Sequence, residues 1–126
     1  MEGYTKLGDV FVYKISLELC EVGWQIYERL DWHDKKIFGD QFIRAVDSVG
    51  ANIAEGYGRF HYLDRIKFYY NSRGSLFEVK HWCCLLYKRG RITVEQFNQL
   101  LKHADLIHFQ LNLFIKTTYQ SKQKEG

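Results

Sequence analysis

The sequence predicts an all-α fold, an antiparallel up-down-up-down four-helix bundle. The chain of 126 residues contains no proline, the commonest helix breaker. Apolar side chains recur at three- and four-residue steps in four segments of similar length, which is the period of one helical face. Short links separate these segments, and short links favour antiparallel packing between consecutive helices.

The first helix is predicted from about residue 9 to about residue 30, and the second from about residue 36 to about residue 57. Residues 31–34 are interpreted as their connection. The residues that mark the inward faces are Val10, Tyr13, Leu17, Cys20, Trp24 and Tyr27 on the first helix, and Phe38, Phe42, Ala45, Val49, Ile53 and Gly56 on the second. Gly56 and Gly58 are expected to end the second helix.

The third helix is predicted from about residue 63 to about residue 88 and stops before Gly90, with basic residues in its last turn that complement the helix dipole. Thr93 and Gln96 have the spacing of a capping box that opens the fourth helix. The sequence therefore predicts one bundle domain over residues 1–119, followed by a flexible polar tail over residues 120–126.

Composition restricts the classes of protein that the chain can represent. Charges interrupt every apolar run, so no membrane span is expected, and the first residues lack an export signal, which places the protein in the cytoplasm. Cys20, Cys83 and Cys84 are an odd number without CxxC spacing, which indicates reduced, packed thiols. The net charge of +3 permits a nucleic-acid partner without requiring one.

Polar residues recur at helical spacing along or beside the expected inward faces of the second and third helices. They are Gln41, Arg44, Ser48, Asn52, Glu55, Asn71, Ser75 and Glu78. A buried carboxylate without a partner costs several kcal/mol, so we expect Glu55 or Glu78 to pair with Arg44 inside the bundle. A structural network that fixes helix register is the favoured interpretation, and a catalytic or ligand site is the alternative.

The same residues carry a resemblance to a known family. The run Ala51-Asn52-Ile53-Ala54-Glu55-Gly56, followed by Gly74-Ser75-Leu76 and Glu78, resembles the core pattern of a bacterial four-helix-bundle family encoded in intervening sequences of large-subunit ribosomal RNA genes. The similarity runs from about residue 9 to about residue 119, although residues 31–38 lack the proline usual in the family. The resemblance implies a homopentamer and a distant kinship with the accessory variability protein of diversity-generating retroelements, which binds nucleic acid and a reverse transcriptase.

No catalytic constellation is recognisable. Glu78 and His81 form one Glu-x-x-His, but a di-metal bundle site needs two, and the chain has no second. The other histidines are scattered, and Gly56 and Gly58 do not form a phosphate-binding fingerprint. The sequence therefore predicts a protein that is not an enzyme and that holds no metal or cofactor.

A stripe of cations and aromatics on the third helix is the candidate nucleic-acid surface. With its extension into the next loop, it comprises Arg65, Tyr69, Arg73, Lys80, Lys88, Arg89 and Arg91. Cations neutralise phosphates and aromatic faces stack on unpaired bases, so this pattern suits RNA. The alternative is an ordinary solvated helix face.

Leu106, Phe109 and Leu113 form a second apolar patch on the fourth helix, opposite its inward face. Because one helix cannot bury both faces within a four-helix bundle, this patch predicts an interface between copies of the chain or with another protein. The sequence thus favours a non-enzymatic homo-oligomeric adaptor, most simply the pentamer that the resemblance implies, which binds RNA or another nucleic acid. The competing hypothesis is a protein-only scaffold.

Overall fold

The computed structural model of the protein describes the backbone of residues 6–125 and the side chains of residues 6–121. A short 3-10 turn, Leu7–Asp9, precedes α1, Phe11–Arg29. Helix α2 comprises three consecutive stretches, Trp32–Asp34, the π-helical Lys35–Gly39, and Asp40–Tyr57. Helix α3 is Tyr62–Lys88, and helix α4 is Val94–Glu125.

The four helices form the predicted bundle, but Leu17 and Trp24, predicted on the inward face of α1, are exposed, because that helix buries the side that carries Ile15 and Leu19. Helix α1 packs on α2 and α4, and α3 packs on the same two helices, so the helices occupy the corners of a square in chain order. The largest fully buried apolar side chains include Leu19, Phe42, Leu76, Leu100 and Ile107, which come from all four helices. Burial of each such side chain contributes roughly 1.5–3 kcal/mol. Within the described residues, no helix combines the length and the apolar character that a membrane crossing requires.

Two helix boundaries differ from the predictions. Residues 31–34 are not a loop, because the Asp31 carboxylate accepts a hydrogen bond from the Asp34 backbone N–H at 2.8 Å and so caps the first turn of α2. Helix α4 continues to Glu125, so most of the predicted polar tail, residues 120–126, is part of the last helix. The flexibility of that tail remains a prediction.

Glycines in α1 and α2 allow the helices to approach closely. A Cβ atom on Gly23 would lie 2.8 Å from a Val46 methyl, and one on Gly56 would lie 2.7 Å from the Tyr69 ring. The prediction that Gly56 ends α2 is therefore wrong, since Gly56 lies inside the helix and makes room for α3. Gly58 follows the last helical residue, as expected.

The link between α3 and α4 has the predicted caps. Gly90, at φ +68°, adopts the left-handed conformation that glycine tolerates best, and it follows the end of α3. Thr93 N–H donates to Gln96 Oε1 at 2.8 Å, and Gln96 N–H donates to Thr93 Oγ1 at 3.1 Å. These reciprocal hydrogen bonds confirm the capping box.

The three cysteines occupy different environments, and all are free thiols. Cys83 is buried and Cys20 is half-buried, as expected for packed thiols, whereas Cys84 is exposed, contrary to the prediction. Burial raises the pKa of Cys83 to about 12 and that of Cys20 to about 11. Because the buried thiols keep their protons near neutral pH, they act as small apolar groups there.

Candidate binding surfaces

The polar residues of α2 and α3 do not form a buried network, and four of them, Gln41, Arg44, Ser48 and Glu78, line an open surface groove. Gln41, Arg44, Glu55, Asn71 and Glu78 are exposed, and Ser48, Asn52 and Ser75 are half-buried. Glu55 forms an ion pair with Arg59, which lies just beyond the end of α2, and Glu78 accepts a long hydrogen bond from Trp82 Nε1 at 3.4 Å. The prediction of buried carboxylates paired with Arg44 is wrong, so the large penalty for removing one partner does not apply.

The error arises because the inward face of α3 lies one residue away from the predicted face. Its buried residues are Ile66, Tyr69, Ser72, Leu76, Val79, Cys83 and Leu86. The Ser72 hydroxyl donates to the Val49 carbonyl oxygen at 2.7 Å and ties α3 to α2. Exposed aromatics such as Tyr70 and Phe77 lie elsewhere on the helix, so apolar periodicity does not single out the inward face.

Tyr69 belongs to the core and not to a nucleic-acid surface. Its side chain is only 1% exposed, and its ring centroid lies 4.7 Å from that of Phe114 on α4. Burial raises the pKa of the Tyr69 hydroxyl to about 12, although the charge of Arg65 opposes this shift. The prediction that Tyr69 contacts nucleic acid is therefore wrong, because its ring cannot reach a base without opening the bundle.

Two predicted phosphate-binding cations tie α3 to α4. Lys80 Nζ lies 3.0 Å from Asp105 Oδ1 and 3.1 Å from His108 Nδ1. Arg73 donates to Asn112 Oδ1 at 3.0 Å. The pKa of His108 is lowered mainly by burial and then by the charges of Lys80 and Arg73. The neutral form of the ring is therefore favoured, and it can accept a hydrogen bond from Lys80. Both cations are half-buried, so a phosphate would have to compete with these contacts.

Arg65 secures the link between α2 and α3. Its Nε donates to the Arg59 carbonyl oxygen at 2.6 Å, and its guanidinium carbon lies 5.2 Å from the centroid of the Tyr62 ring. The structure therefore gives Arg65 a positioning contact within the chain, whereas its role toward nucleic acid remains a prediction.

The remaining predicted cations lie where the α3–α4 link meets the start of α2. Arg91 forms an ion pair with Asp34, whose side chain is only 8% exposed. The guanidinium carbon of Arg89 lies 5.1 Å from the centroid of the Phe38 ring. Arg89 thus lies beside α2, and Lys88, the preceding residue in the chain, is exposed. Arg91 is thus engaged in a structural ion pair, whereas Lys88 and Arg89 remain on the surface.

The same region contains residues that the sequence analysis missed. Trp32 is 70% exposed, and Lys36 Nζ, one turn further along α2, lies 4.4 Å from its ring centroid. Lys35 Nζ lies 5.0 Å from the centroid of a tyrosine ring on α1. The four-residue spacing of Trp32 and Lys36 was a usable signal, but it was hidden by the interpretation of residues 31–34 as a loop.

The apolar patch on α4 is exposed as expected. Leu106, Phe109 and Leu113 are 43%, 62% and 45% exposed, and we call them the apolar row. An open groove beside it, between α1 and α4, is lined by Phe11, Gln110 and Leu113 among other residues. Neither α1 nor α3, the helices that pack on α4, covers the row, and its part in an interface remains a prediction.

The described residues do not group into a metal centre. Across residues 6–121, no three histidine, cysteine, aspartate or glutamate side chains lie close enough together to hold an ion. Glu78 and His81, the lone Glu-x-x-His, are both exposed on α3.

The helices and their connections define an all-α four-helix-bundle protein. Residues 8–113 match the family described as 23S rRNA-intervening sequence protein, and the chain belongs to this family. It is similar to the crystal structure of a protein of unknown function from the S23 ribosomal protein family of Bacteroides thetaiotaomicron, at a TM-score of 0.78 and 27% identity, covering 83% of this chain and 95% of that chain. No curated protein matches the chain. The family resemblance is confirmed, while the kinship with the retroelement accessory protein remains a prediction.

Proposed function

We propose that the protein is a non-enzymatic adaptor that assembles into a homo-oligomer, most simply a pentamer, and binds RNA. The exposed apolar row of α4 carries the assembly part of this proposal. Its three large side chains lie within two helical turns on one face, where contact with another copy would remove them from water. A surface repeated in a closed ring also leaves no unpaired copy of the interface.

Unpaired cations support the RNA part of the proposal. Among the described residues, Lys80 and Arg91 form ion pairs with aspartates, whereas Lys35, Lys36, Lys88 and Arg89 have no carboxylate within salt-bridge distance. Assembly would repeat these cations, and a long RNA that reaches several copies gains avidity without any new type of contact. A protomer charge of only +3 is therefore compatible with useful affinity.

A protein-only scaffold is the second candidate, and a specific observation favours it. Tyr69 is buried and both Arg73 and Lys80 contact α4, which removes the centre of the predicted nucleic-acid stripe. In this alternative, the apolar row contacts a different protein and the remaining cations are solvated. The two candidates differ in whether the purified protein binds RNA at low salt.

Light scattering of the purified protein should give the mass of a homo-oligomer, with a pentamer close to five times the 15.1 kDa protomer. Phe109→Glu should shift the mass toward that of the protomer, because an unpaired carboxylate would be buried at the interface. Leu63→Glu is the matched control, since Leu63 is a similarly exposed leucine on α3. A concentration-independent protomer mass would reject assembly, and normal assembly of Phe109→Glu would reject the apolar row as its interface.

RNA binding should fall steeply as salt increases, because phosphate contacts release counterions. Recovery of crosslinked RNA from cells, followed by fluorescence anisotropy over a salt series, measures this dependence. The double variant Arg73→Ala and Lys80→Ala should change the salt slope little, because both cations already contact groups on α4. Absence of RNA binding even at low salt would contradict the RNA role and support the protein-only scaffold.

A further inference from the structure

We propose that copies of the chain assemble head to tail, with the apolar row of α4 in one copy packed on an apolar strip of α1 in the next. We define the α1 strip as Leu17 and Trp24 together with Cys20, which lies between them in the sequence. This inference rests on the assembly part of the proposed function and deepens it by naming the surface that covers the row. The partner is a second copy of this chain.

The α1 strip is a second exposed apolar surface of the bundle. Leu17 and Trp24 are 50% and 46% exposed. They are seven residues apart, which is about two helical turns, so both project from the same side of α1. The half-buried Cys20 thiol lies 3.9 Å from the Val46 carbonyl oxygen. The strip therefore lies on the side of α1 that is next to α2.

The apolar row of the same copy cannot cover the α1 strip, because α1 packs on α4 with another side. On that side Glu18 Oε2 lies 3.8 Å from His103 Nε2 of α4. The row itself lies on the outward side of α4, opposite the buried Ile107 and Leu111. The two surfaces face different directions, so a second copy is needed to bring a row and a strip into contact.

The row and the strip match in length and spacing. In both, the residues are separated by three and then by four positions, and both span about 10.5 Å at the rise of an α-helix. Helices that pack along a shared seam use this alternating spacing. Phe109, in the middle of the row, is 62% exposed, whereas the small Cys20 is in the middle of the strip. The phenylalanine ring therefore has room between Leu17 and Trp24.

Carboxylates border the α1 strip. Glu21 lies one turn from both ends of the strip, and Glu28 lies one turn beyond it. Asp47 of α2 lies beside Cys20 and is, after burial, the cause of the raised pKa of that thiol. Within residues 6–121 these three carboxylates form no ion pair. On α1, Lys14 is the only cation at the same spacing, so the border of the strip carries a net negative charge.

Lysines border the apolar row. Lys102 lies four residues before Leu106, and Lys116 lies three residues after Leu113. Both lysines are exposed and form no ion pair among the described side chains. Asp105 also lies near the row, but Lys80 pairs with it. The row is therefore positively charged at both ends, and the border of the strip has the opposite sign.

These charges disfavour packing of the row on its own counterpart. Lys102 and Lys116 are each seven residues from Phe109. In an antiparallel pair of rows, Lys102 of one copy would meet Lys116 of the other, and in a parallel pair each lysine would meet the same lysine. Like charges repel in both arrangements, whereas a row and a strip attract. An interface between two different surfaces is completed in every copy only when the copies form a closed ring.

Complementation between two variants tests the head-to-tail pairing by light scattering. Leu17→Glu damages the strip and Phe109→Glu damages the row, so each variant alone should have the mass of the protomer. An equimolar mixture should form a one-to-one complex of about twice the 15.1 kDa protomer mass. In that complex the intact row of Leu17→Glu packs on the intact strip of Phe109→Glu, and the two damaged surfaces prevent growth. Leu63→Glu is the matched control on α3 and should assemble normally.

Charge reversal tests the same pairing through fully exposed side chains. Lys102→Glu with Lys116→Glu should raise the concentration needed for half-assembly by about ten-fold at low salt, and Glu21→Lys with Glu28→Lys should do the same. A chain that carries all four substitutions should recover assembly, and high salt should reduce the differences. Lys67→Glu with Lys88→Glu is the control, because it makes the same change in charge at exposed positions outside both surfaces.

The outcomes distinguish the head-to-tail pairing from assembly in general. Normal assembly of Leu17→Glu would overturn the strip and leave assembly intact. Two variants that are helical by circular dichroism but remain separate when mixed would overturn the pairing of row with strip. If Leu17→Glu does not fold, the charge variants decide, and no recovery in the fourfold variant would overturn the pairing. A protomer mass for the unmodified protein at every concentration would overturn both the pairing and the proposed assembly.

Discussion

Stability should fall as pH rises from 9 to 11, because the folded chain holds protons that the unfolded chain releases. Burial is the main cause that raises the pKa of Cys83 from 9.0 to about 12, with a smaller contribution from Cys84. When the pKa of a group is higher in the folded state than in the unfolded state, the group stabilises the folded state fully at pH values below its unfolded-state pKa. This stabilisation is lost as the pH rises from the unfolded-state pKa through the folded-state pKa. For Cys83 the loss is at most about 1.4 kcal/mol per pH unit over this window, or about 3 kcal/mol in total.

Cys20 and Tyr69 act in the same direction. Burial, followed by the charge and hydrogen bond of Asp47, raises the pKa of Cys20 to about 11, and burial raises that of Tyr69 to about 12. The unfolded tyrosine pKa is near 10, so Tyr69 adds to the loss only in the upper part of the window.

Urea unfolding followed by circular dichroism from pH 8 to pH 11 measures this effect, with reductant present and the protein concentration fixed. Cys83→Ala should be less stable at pH 8, because it leaves a small cavity, but should lose less stability on going to pH 11. Cys84→Ala is the matched control and should lose nearly as much stability as the unmodified protein, since it leaves the buried Cys83 in place and removes only the smaller contribution to its pKa. An unchanged pH dependence in Cys83→Ala would contradict the assignment to this thiol.

Replacing Gly56 with alanine should destabilise the bundle by up to about 2 kcal/mol. The new Cβ would lie 2.7 Å from Tyr69 Cε1, 2.9 Å from Phe68 Cβ and 3.0 Å from the Arg65 carbonyl oxygen. Two of these atoms belong to the backbone or adjoin it, so a side-chain rotation cannot relieve all the contacts. Overpacking of this kind typically costs about 1–3 kcal/mol, against which alanine recovers about 1 kcal/mol of helix propensity.

Gly74→Ala provides the opposite expectation within the same bundle. Gly74 lies inside α3, and a Cβ there would meet no atom within 4 Å. Alanine should therefore stabilise the helix by about 0.5–1 kcal/mol through its higher propensity. Urea unfolding of the two variants compares them directly. Equal stability changes in both would show that close contact with α3 does not govern the effect at Gly56.

The helices were predictable because their signals are local. Apolar periodicity gave all four segments, Gly90 marked the end of α3, and Thr93 with Gln96 marked the start of α4. The family pattern was also readable, since its polar and glycine positions lie within α2 and α3. The start of α2 was not predicted, because residues 31–34 were interpreted as a loop. In the structure Asp31 caps a helical turn there.

The sequence did not determine which side of α3 faces the core. The predicted inward face lies one residue away from the buried face, and this difference changed the candidate sites. Tyr69 and Ser72 face the core in place of Asn71, and Glu78 is exposed beside a surface groove instead of buried. Apolar and aromatic side chains occur on several sides of α3, so the sequence period leaves its orientation undetermined. Contact with the Gly56 surface of α2 and with Phe114 of α4 determines which side is buried.

The sequence by itself determined the all-α class, the four helices, the family and the exposed apolar row, because each depends on spacing within one segment. Only the tertiary structure decided which cations remain available. Lys80 and Arg73 contact groups on α4, Arg91 pairs with Asp34, and Arg89 packs against Phe38. These pairings join residues far apart in the chain, so they depend on how the helices pack and not on any local pattern.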